Sequence, residues 1–333
     1  MLAAARVGDG SAFTALVERH RSELRVHCYR MLGSYEESED LVQETFLRAW
    51  KGLRGFEGRS TLRAWLYRIA TNACLDFLGG KARRVLPHQV APPSEPTAEH
   101  PPRTDVPWLQ PFPDRLCEPS ETQPDAVVVA RETIELAFLA AIQYLPPRQR
   151  VVLILRDVLG WPARDTAAML DVSVASANSA LQRARTALKE HLPAHRMEWA
   201  PSAKPTPQER AVLRRYMEAV ERADLAAMAD LLAEEVRSTM PPYPVWFQGR
   251  ESVVGAMAES WDPASPAYVG RFRMLPTAAN RQPTAAAYVR HGEESGYRAF
   301  AIAVLTVADG KIAEVTGFHT PALFPAFGLP LET

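Results

Sequence analysis

Eleven of the chain's 28 prolines fall between residues 85 and 130. Proline lacks a backbone N–H and fixes φ near −65°, so neither a continuous helix nor a central strand crosses such a stretch. The same residues carry 7 acidic and 2 basic side chains, and this composition predicts an acidic, extended linker. A second break, from Pro193 to Pro207 with Pro201 and Pro205 between, sets off the C-terminal part of the 333 residues. One patch of the first linker, Val106-Pro107-Trp108-Leu109-Gln110-Pro111-Phe112-Pro113, is too aromatic for a plain spacer. It reads either as a locally collapsed loop or as a docking motif for another surface.

Outside the breaks the chain is ordinary globular material, 47% hydrophobic and 23% charged, which excludes a fibrous or wholly disordered protein. No apolar run approaches the roughly 18 residues that span a bilayer. The stretch Met1–Arg6 lacks the basic segment and apolar core of a secretory signal. Cys28, Cys74 and Cys117 are scattered with no C-x-x-C pair, which argues against a disulfide framework or a zinc site. A reduced, cytoplasmic protein with buried thiols is expected, with no metal and no cofactor. The formal charge of −1 hides a basic block: residues 45–84 hold 9 basic and 2 acidic side chains. Such a block suits nucleic-acid phosphates.

Ser34 and Glu37 fit a capping box ahead of a helix from about Tyr35 to Leu53. Val42, Phe46, Ala49, Trp50 and Leu53 recur at helical spacing and predict its buried face. Asp40, Gln43, Glu44, Leu47 and Lys51 form another stripe, which by itself reads as a solvated face. A second helix follows Ser60-Thr61, with Leu62, Trp65, Leu66, Ile69, Ala73 and Phe77 as its expected buried stripe. Arg68, Asn72 and Asp76 are four apart and share a face. They read as a solvated stripe with an ion pair, or as planar hydrogen-bonding groups offered to bases.

Beyond the linker, one helix is predicted from Arg131 to Tyr144 and another from Pro146-Pro147, ending at Gly160. The stretch Trp161–Leu170, the turn Asp171-Val172-Ser173 and a helix from about Val174 to His191 then give a helix-turn-helix pattern. Ala177, Leu181, Ala184 and Leu188 are its inward positions. Ser176, Asn178, Ser179, Gln182, Arg183, Arg185 and Lys189 point outward, as on a helix that enters a major groove.

Two separated stretches resemble one family. Asp40–Trp50 resembles the core-binding helix of sigma-70-family transcription initiation factors, and Leu62–Asp76 the adjoining promoter −10 helix. Leu145-Pro146-Pro147-Arg148-Gln149-Arg150 and the helix-turn-helix resemble the family's −35-reading domain. Order and spacing are similar to those of the extracytoplasmic-function group. The resemblance implies that Asp40, Gln43, Glu44 and Leu47 meet core RNA polymerase. It places Arg59, Arg63, Arg68, Asn72 and Asp76 near the opened −10 element, and Ser176, Ser179, Arg183 and Arg185 against the −35 duplex. In this family the linker threads toward the polymerase active centre. Two departures stand out: Gly79-Gly80 interrupts the usual basic run after the −10 helix, and Asn178 and Ala180 stand where Lys and Arg are frequent.

The C-terminal part predicts helices at Thr206–Ala233 and Glu251–Glu259. Strands follow at Phe272–Leu275, Ala285–Arg290, Tyr297–Val307 and Lys311–Thr316, with Asp309-Gly310 as a hairpin turn. Helices followed by a long antiparallel sheet suggest an α+β roll. Trp246-Phe247-Gln248-Gly249-Arg250, the element order and the tail Phe318–Phe324 resemble the SnoaL-like, cystatin-type roll. Such a roll offers a mouth for a small molecule, and Trp246, Trp261, Phe272, Tyr288, Phe300 and His319 are its candidate lining; core filling is the other reading of the aromatics. No catalytic residue is assigned, since His319 has no evident Asp partner.

The expected architecture is therefore multidomain. Residues 1–84 and 131–192 form two all-α domains, the second a helix-turn-helix, with linkers at 85–130 and 193–205. An α+β roll over 206–333 completes the chain. The function implied is that of an alternative sigma factor that binds core RNA polymerase and promoter DNA, regulated in cis by the roll. A helix-turn-helix regulator, and a roll-family enzyme with a DNA-binding appendage, are the competing readings.

Overall fold

The computed structural model describes residues 1–58, 60–96, 101–117, 134–192, 204–292 and 296–333. The chain forms two compact units, Met1–Arg84 with Leu116–Ser202, and Val85–Arg115 with Ala203–Thr333.

The first unit is helical: α1 Leu2–Arg6, α2 Gly10–Glu18, α3 Arg21–Leu32, α4 Tyr35–Gly52, α5 Leu62–Leu78, α6 Leu136–Ile142, α7 Pro147–Leu153, α8 Ala163–Leu170 and α9 Val174–His191. Ser34 caps α4 by accepting from the Glu37 N–H at 3.3 Å, and Thr61 caps α5 by accepting from Ala64 N–H at 3.2 Å. The expected buried stripe of α4 holds except at Trp50, which is 37% exposed and packs edge-on against Phe13. On α5 the buried face is turned by about one residue from expectation. Leu66, Tyr67, Ala70, Thr71, Ala73 and Cys74 are buried, whereas Leu62, Trp65, Ile69 and Phe77 are half-buried. The cause is a second layer that local periodicity cannot register. Tyr67 packs on His27 and Trp161, and the Thr71 hydroxyl reaches Met169 Sδ at 3.8 Å.

The segment expected as one helix up to Gly160 widens into a π-helical turn, Ile154–Val158, after α7. The turn between α8 and α9 pivots on Asp171 at φ 52°. Ser173 caps α9, whose buried residues are Ala177, Leu181, Ala184 and Leu188. Arg150 ties the unit together. Its buried guanidinium donates to the carbonyls of Ile142, Gln143, Leu145 and Met31 and to the Gln143 side chain. These groups include the last carbonyls of α3 and α6, which no intrahelical N–H satisfies. Burial lowers the Arg150 pKa to about 10, which still leaves it charged at neutral pH.

In the second unit α10 Pro207–Arg222 starts with a capping box, Thr206 accepting from the Glu209 N–H and the Glu209 side chain accepting from the Thr206 N–H. The predicted single helix over 206–233 breaks at Ala223, φ 53°, and α11 Leu225–Leu231 follows. The strands are β1 Leu232–Thr239, β2 Trp246–Gln248, β3 Arg271–Ala279, β4 Gln282–Arg290, β5 Arg298–Ala308 and β6 Lys311–Phe318. α12, Arg250–Trp261, follows β2. The sheet order is β2-β1-β6-β5-β4-β3. It is mixed rather than antiparallel, because β1 runs parallel to β6. The helix expected up to Ala233 overruns the start of β1, since Leu231 and Leu232 continue the helical spacing, and the rest of β1 is not anticipated.

The described residues between 85 and 115 correct the expectation of an extended spacer, for they lie on the roll as a strap. Ser94 N–H donates to Trp246 O at 2.8 Å, Trp246 Nε1 donates to Ala91 O at 2.8 Å, and Arg103 N–H donates to Pro242 O at 2.9 Å. Phe112 and Asn280 exchange hydrogen bonds, Phe112 N–H to Asn280 Oδ1 at 2.9 Å and Asn280 N–H to Phe112 O at 3.0 Å. Asp114 Oδ1 accepts from the Arg281 N–H at 2.9 Å. Asn280 and Arg281 form the β3–β4 turn at φ 55° and 58°, a strained region for Arg. The strap thus braces the turn it binds. Trp108, Leu109 and Phe112 are buried: Trp108 and Leu109 bond within the strap, to Arg103 O and Val85 O, as in a collapsed loop, while Phe112 bonds to the roll at Asn280.

Replacing Arg150 by Met should lower the unfolding free energy of the helical unit by about 3 kcal/mol or more, because several buried carbonyls lose a charged donor at once. The urea midpoint measures this, and a loss within the ordinary surface range would contradict it. His88 of the strap packs edge-on to Trp246, and its Nδ1 has no hydrogen-bond partner. Burial, and next the Arg237 guanidinium, lower its pKa to about 4. The unfolded chain then takes up the proton first. Docking is fully stable above pH 6.5, the group's ordinary value, and weakens as the pH falls toward 4. His88→Gln should flatten this pH dependence in thermal unfolding of the full chain.

Candidate functional site

The basic block of the sequence folds into α4, α5 and the loop between them. On α4, Asp40, Gln43 and Leu47 are exposed and Glu44 is half-buried, so the four form one open stripe. Leu47 is 48% exposed, an apolar side chain in a polar surround. On α5, Arg68, Asn72 and Asp76 are exposed along one line, opposite the face that packs on Trp161 and Met169. The two stripes are joined by Arg48, which sequence reasoning missed. It donates to Glu44 at 2.7 Å and to Asp76 at 2.9 Å. Both carboxylates, Glu44 first, raise its pKa. Its position four residues after Glu44 was the available signal.

Arg63 does not belong to the open stripe. It donates to Glu23 at 2.6 Å and lies over the Tyr67 ring, 5.1 Å from its centre. Burial opposes the charge on Glu23, but the hydrogen bond from His20 and the Arg63 cation outweigh it and hold that carboxyl below its usual range. The inward turn of Arg63 follows from its place four residues before buried Tyr67. Arg59 lies outside the described residues.

Ser176, Ser179, Arg183 and Arg185 are all exposed on α9. Arg185 is held by a two-pronged pair with Asp157 at 2.7 and 2.8 Å, which raises its pKa. Asp157 sits in the π-helical turn, so the widened turn anchors the outer face of α9. A helix with a small-residue N-terminal half and a fixed cation beyond it has the form of a major-groove reader.

The roll holds a cavity of about 280 Å³. Trp261, Phe272, Phe300 and His319 line it, as expected. Trp246 and Tyr288 do not. Trp246 turns to the strap through its bonds with Ala91 and Ser94. Tyr288 lies on the other face of β4 from Ala287, which does line the cavity, because strand side chains alternate. Its hydroxyl donates to Pro330 O at 2.9 Å and its ring meets Phe324. Phe300 enters through a bulge: Ala301 pairs with Ala287 and Ala299 with Tyr288, leaving Phe300 as the extra residue. The cavity residues that sequence reasoning missed include Pro96, Tyr216, Met240 and Met257. Pro96 carries no sequence signal, since only the docked strap brings it there. Among the described residues no helix is long and apolar enough to cross a membrane, and no cluster of His, Cys, Asp and Glu is arranged to hold a metal.

Residues 16–84 match the sigma-70 region 2 model, residues 135–188 the sigma-70 region 4 model, and residues 213–315 the SnoaL-like domain model. The chain is 44% identical over 328 residues to the ECF RNA polymerase sigma factor SigG of Mycobacterium tuberculosis (strain CDC 1551 / Oshkosh), covering 98% of this chain and 85% of that protein. It is 31% identical over 185 residues to the RNA polymerase sigma-H factor of Pseudomonas aeruginosa, covering 56% of this chain and 88% of the relative. Among solved structures, the extracytoplasmic function sigma factor SigJ of Mycobacterium tuberculosis matches with a TM-score of 0.59 and 25% identity, over 96% of this chain and 99% of that one. The open helical faces, the helix-turn-helix and these relatives converge: the chain belongs to the extracytoplasmic-function sigma factors, non-enzymatic transcription initiation factors of the sigma-70 family, and carries a C-terminal SnoaL-like domain.

Proposed function

We propose that this sigma factor is regulated in cis by its roll, which holds the 85–115 strap away from the polymerase. Sigma factors bind core RNA polymerase and promoter DNA, and the family resemblance routes this linker toward the polymerase active centre. A linker bound to the roll is withheld from that route. The observation that carries the reading is the burial of Trp108, Leu109 and Phe112 in the unit that contains the roll. A passive spacer has no reason to bury three large side chains and brace a strained turn. The protein acts in the cytoplasm, where polymerase and promoter meet.

The open stripes take their parts in the same reading. Asp40, Gln43, Glu44 and Leu47 dock on core polymerase, with Leu47 as the apolar anchor and Arg48 fixing Glu44. Arg68, Asn72 and Asp76, with Arg59, face the opened −10 element, where extruded bases are held by shape and hydrogen bonds. Ser176, Ser179 and Arg183 read the −35 duplex. Arg185, engaged by Asp157, sets the attitude of α9 and meets phosphate at most. Arg63 has a structural part, holding α5 to α3 through Glu23. Few cations on α9 make −35 binding weakly salt-dependent.

Leu47→Asp should weaken core polymerase binding at least tenfold in fluorescence titration, whereas Asn72→Ala should leave that binding intact and reduce permanganate reactivity of −10 thymines. Equal core binding by the Leu47 variant would remove the stripe from the interface. The double variant Trp108→Ala, Phe112→Ala, in the full chain, should raise run-off transcription by core polymerase severalfold. Unchanged output, with strap release confirmed by faster proteolysis within 85–115, would reject regulation through the strap.

A further inference from the structure

The roll cavity contains more than a packing defect. Its wall is almost wholly apolar, with aromatic rings from Trp261, Phe272 and Phe300 and flexible thioethers from Met240, Met257 and Met274. Phe300 stands edge-on to both Phe272 and His319, with ring centres 5.8 and 4.7 Å apart. Methionines adapt to a guest's shape, and aromatic faces favour a flat or ring-bearing one. The volume of about 280 Å³ is close to the lower end of small-molecule sites.

Polar groups are few. His319, Ser238, Ser260 and Tyr216 complete the lining, and no Lys, Arg, Asp or Glu belongs to it among the described residues. A charged guest would be buried without a counter-ion, at a cost of several kcal/mol. Burial lowers the His319 pKa to about 4 and raises that of Tyr216 to about 12, so both stay neutral across the physiological range. The neutral imidazole has one donor and one acceptor to give, and among the described residues no side-chain hydrogen bond to His319 forms.

The wall is closed on one side by the strap. Pro96 lines the cavity and rests on α12 at Gly255, where an added Cβ would lie 3.4 Å from the proline Cγ. Two residues before it, Ser94 is hydrogen-bonded to Trp246. A guest in the cavity therefore touches both the roll and the linker.

We propose that this cavity binds a neutral, largely apolar, ring-bearing small molecule with one hydrogen-bonding group directed at His319, and that its occupancy strengthens docking of the 85–115 strap through Pro96. The site rests on the roll and strap alone; its consequence for transcription rests on the cis-regulation reading above. Binding follows a thermodynamic rule: a ligand that contacts the docked state and not the released state shifts the equilibrium toward docking.

The test uses the full chain and the neutral fluorophore N-phenyl-1-naphthylamine, read by its emission without polymerase. The expected result is saturable binding of one molecule per chain. Ala303→Phe and Met257→Trp, each filling the cavity from a different wall, should weaken it at least tenfold while circular dichroism and the melting midpoint report an intact fold. Pro96→Gly, and separately the Trp108→Ala, Phe112→Ala pair that releases the strap, should weaken it at least threefold. Non-saturating binding, or affinity unchanged in a folded cavity-filling variant, would overturn the site. Affinity unchanged in both strap variants would overturn the coupling. Because the readout needs neither polymerase nor DNA, its failure is separable from a failure of the transcription test.

Discussion

A segment with so many prolines satisfies itself only in part. Val85, Gln89, Val90, Ala91 and Leu109 donate to acceptors within it, and other N–H groups need partners elsewhere. The strap meets this constraint on the roll. The amides of Ser94, Arg103 and Phe112 each find an acceptor there, and Trp108, Leu109 and Phe112 are buried. The dependence is mutual. Asn280 and Arg281 adopt a left-handed turn whose amides are met by Phe112 and Asp114. Trp246 is fixed by the strap on both its backbone and its indole. Residues 85–115 and the roll, which look separate in sequence, form one compact unit.

The helical unit rests on a different device with the same logic. Arg150 collects carbonyls that helix ends leave over, from α3 on one side and α6 with its following turn on the other. The helix-turn-helix half and the N-terminal half then share a core at Tyr67, Trp161 and Met169. This packing uses one face of α5 and leaves the Arg68, Asn72, Asp76 face open. A single helix thereby packs into the core on one face and leaves the proposed promoter-facing stripe exposed on another.

Much of this was legible beforehand, where local rules act alone. The cap at Ser34, that of α5 at Ser60 or Thr61 (Thr61 in the structure), the four inward residues of α9 and the Asp309-Gly310 hairpin turn follow from capping, periodicity and turn chemistry. Motif order carried the family. The misreadings share a cause in tertiary contact. Trp50 and the α5 stripe were misplaced because a second layer, not the local period, decides which residues are covered. Arg63 looked like an exposed cation until Glu23, forty residues away, claimed it. The expected helix runs on into the first two residues of β1 because Leu232 continues the spacing of α11, and the parallel partner β6 lies far along the chain. Tyr288 suits the cavity by residue type, while strand parity sends it to the opposite face. Pro96 could not be found at all, since composition marks it only as linker.

The central claim is that the linker is held by the roll in the free protein and released to the polymerase in the holoenzyme. Hydrogen exchange at the Ser94, Arg103 and Phe112 amides measures it directly, with the full chain alone and bound to core polymerase. The account predicts strong protection at all three in the free protein and its loss on binding core enzyme. Fast exchange in the free protein, or protection that persists unchanged in the holoenzyme, would contradict it.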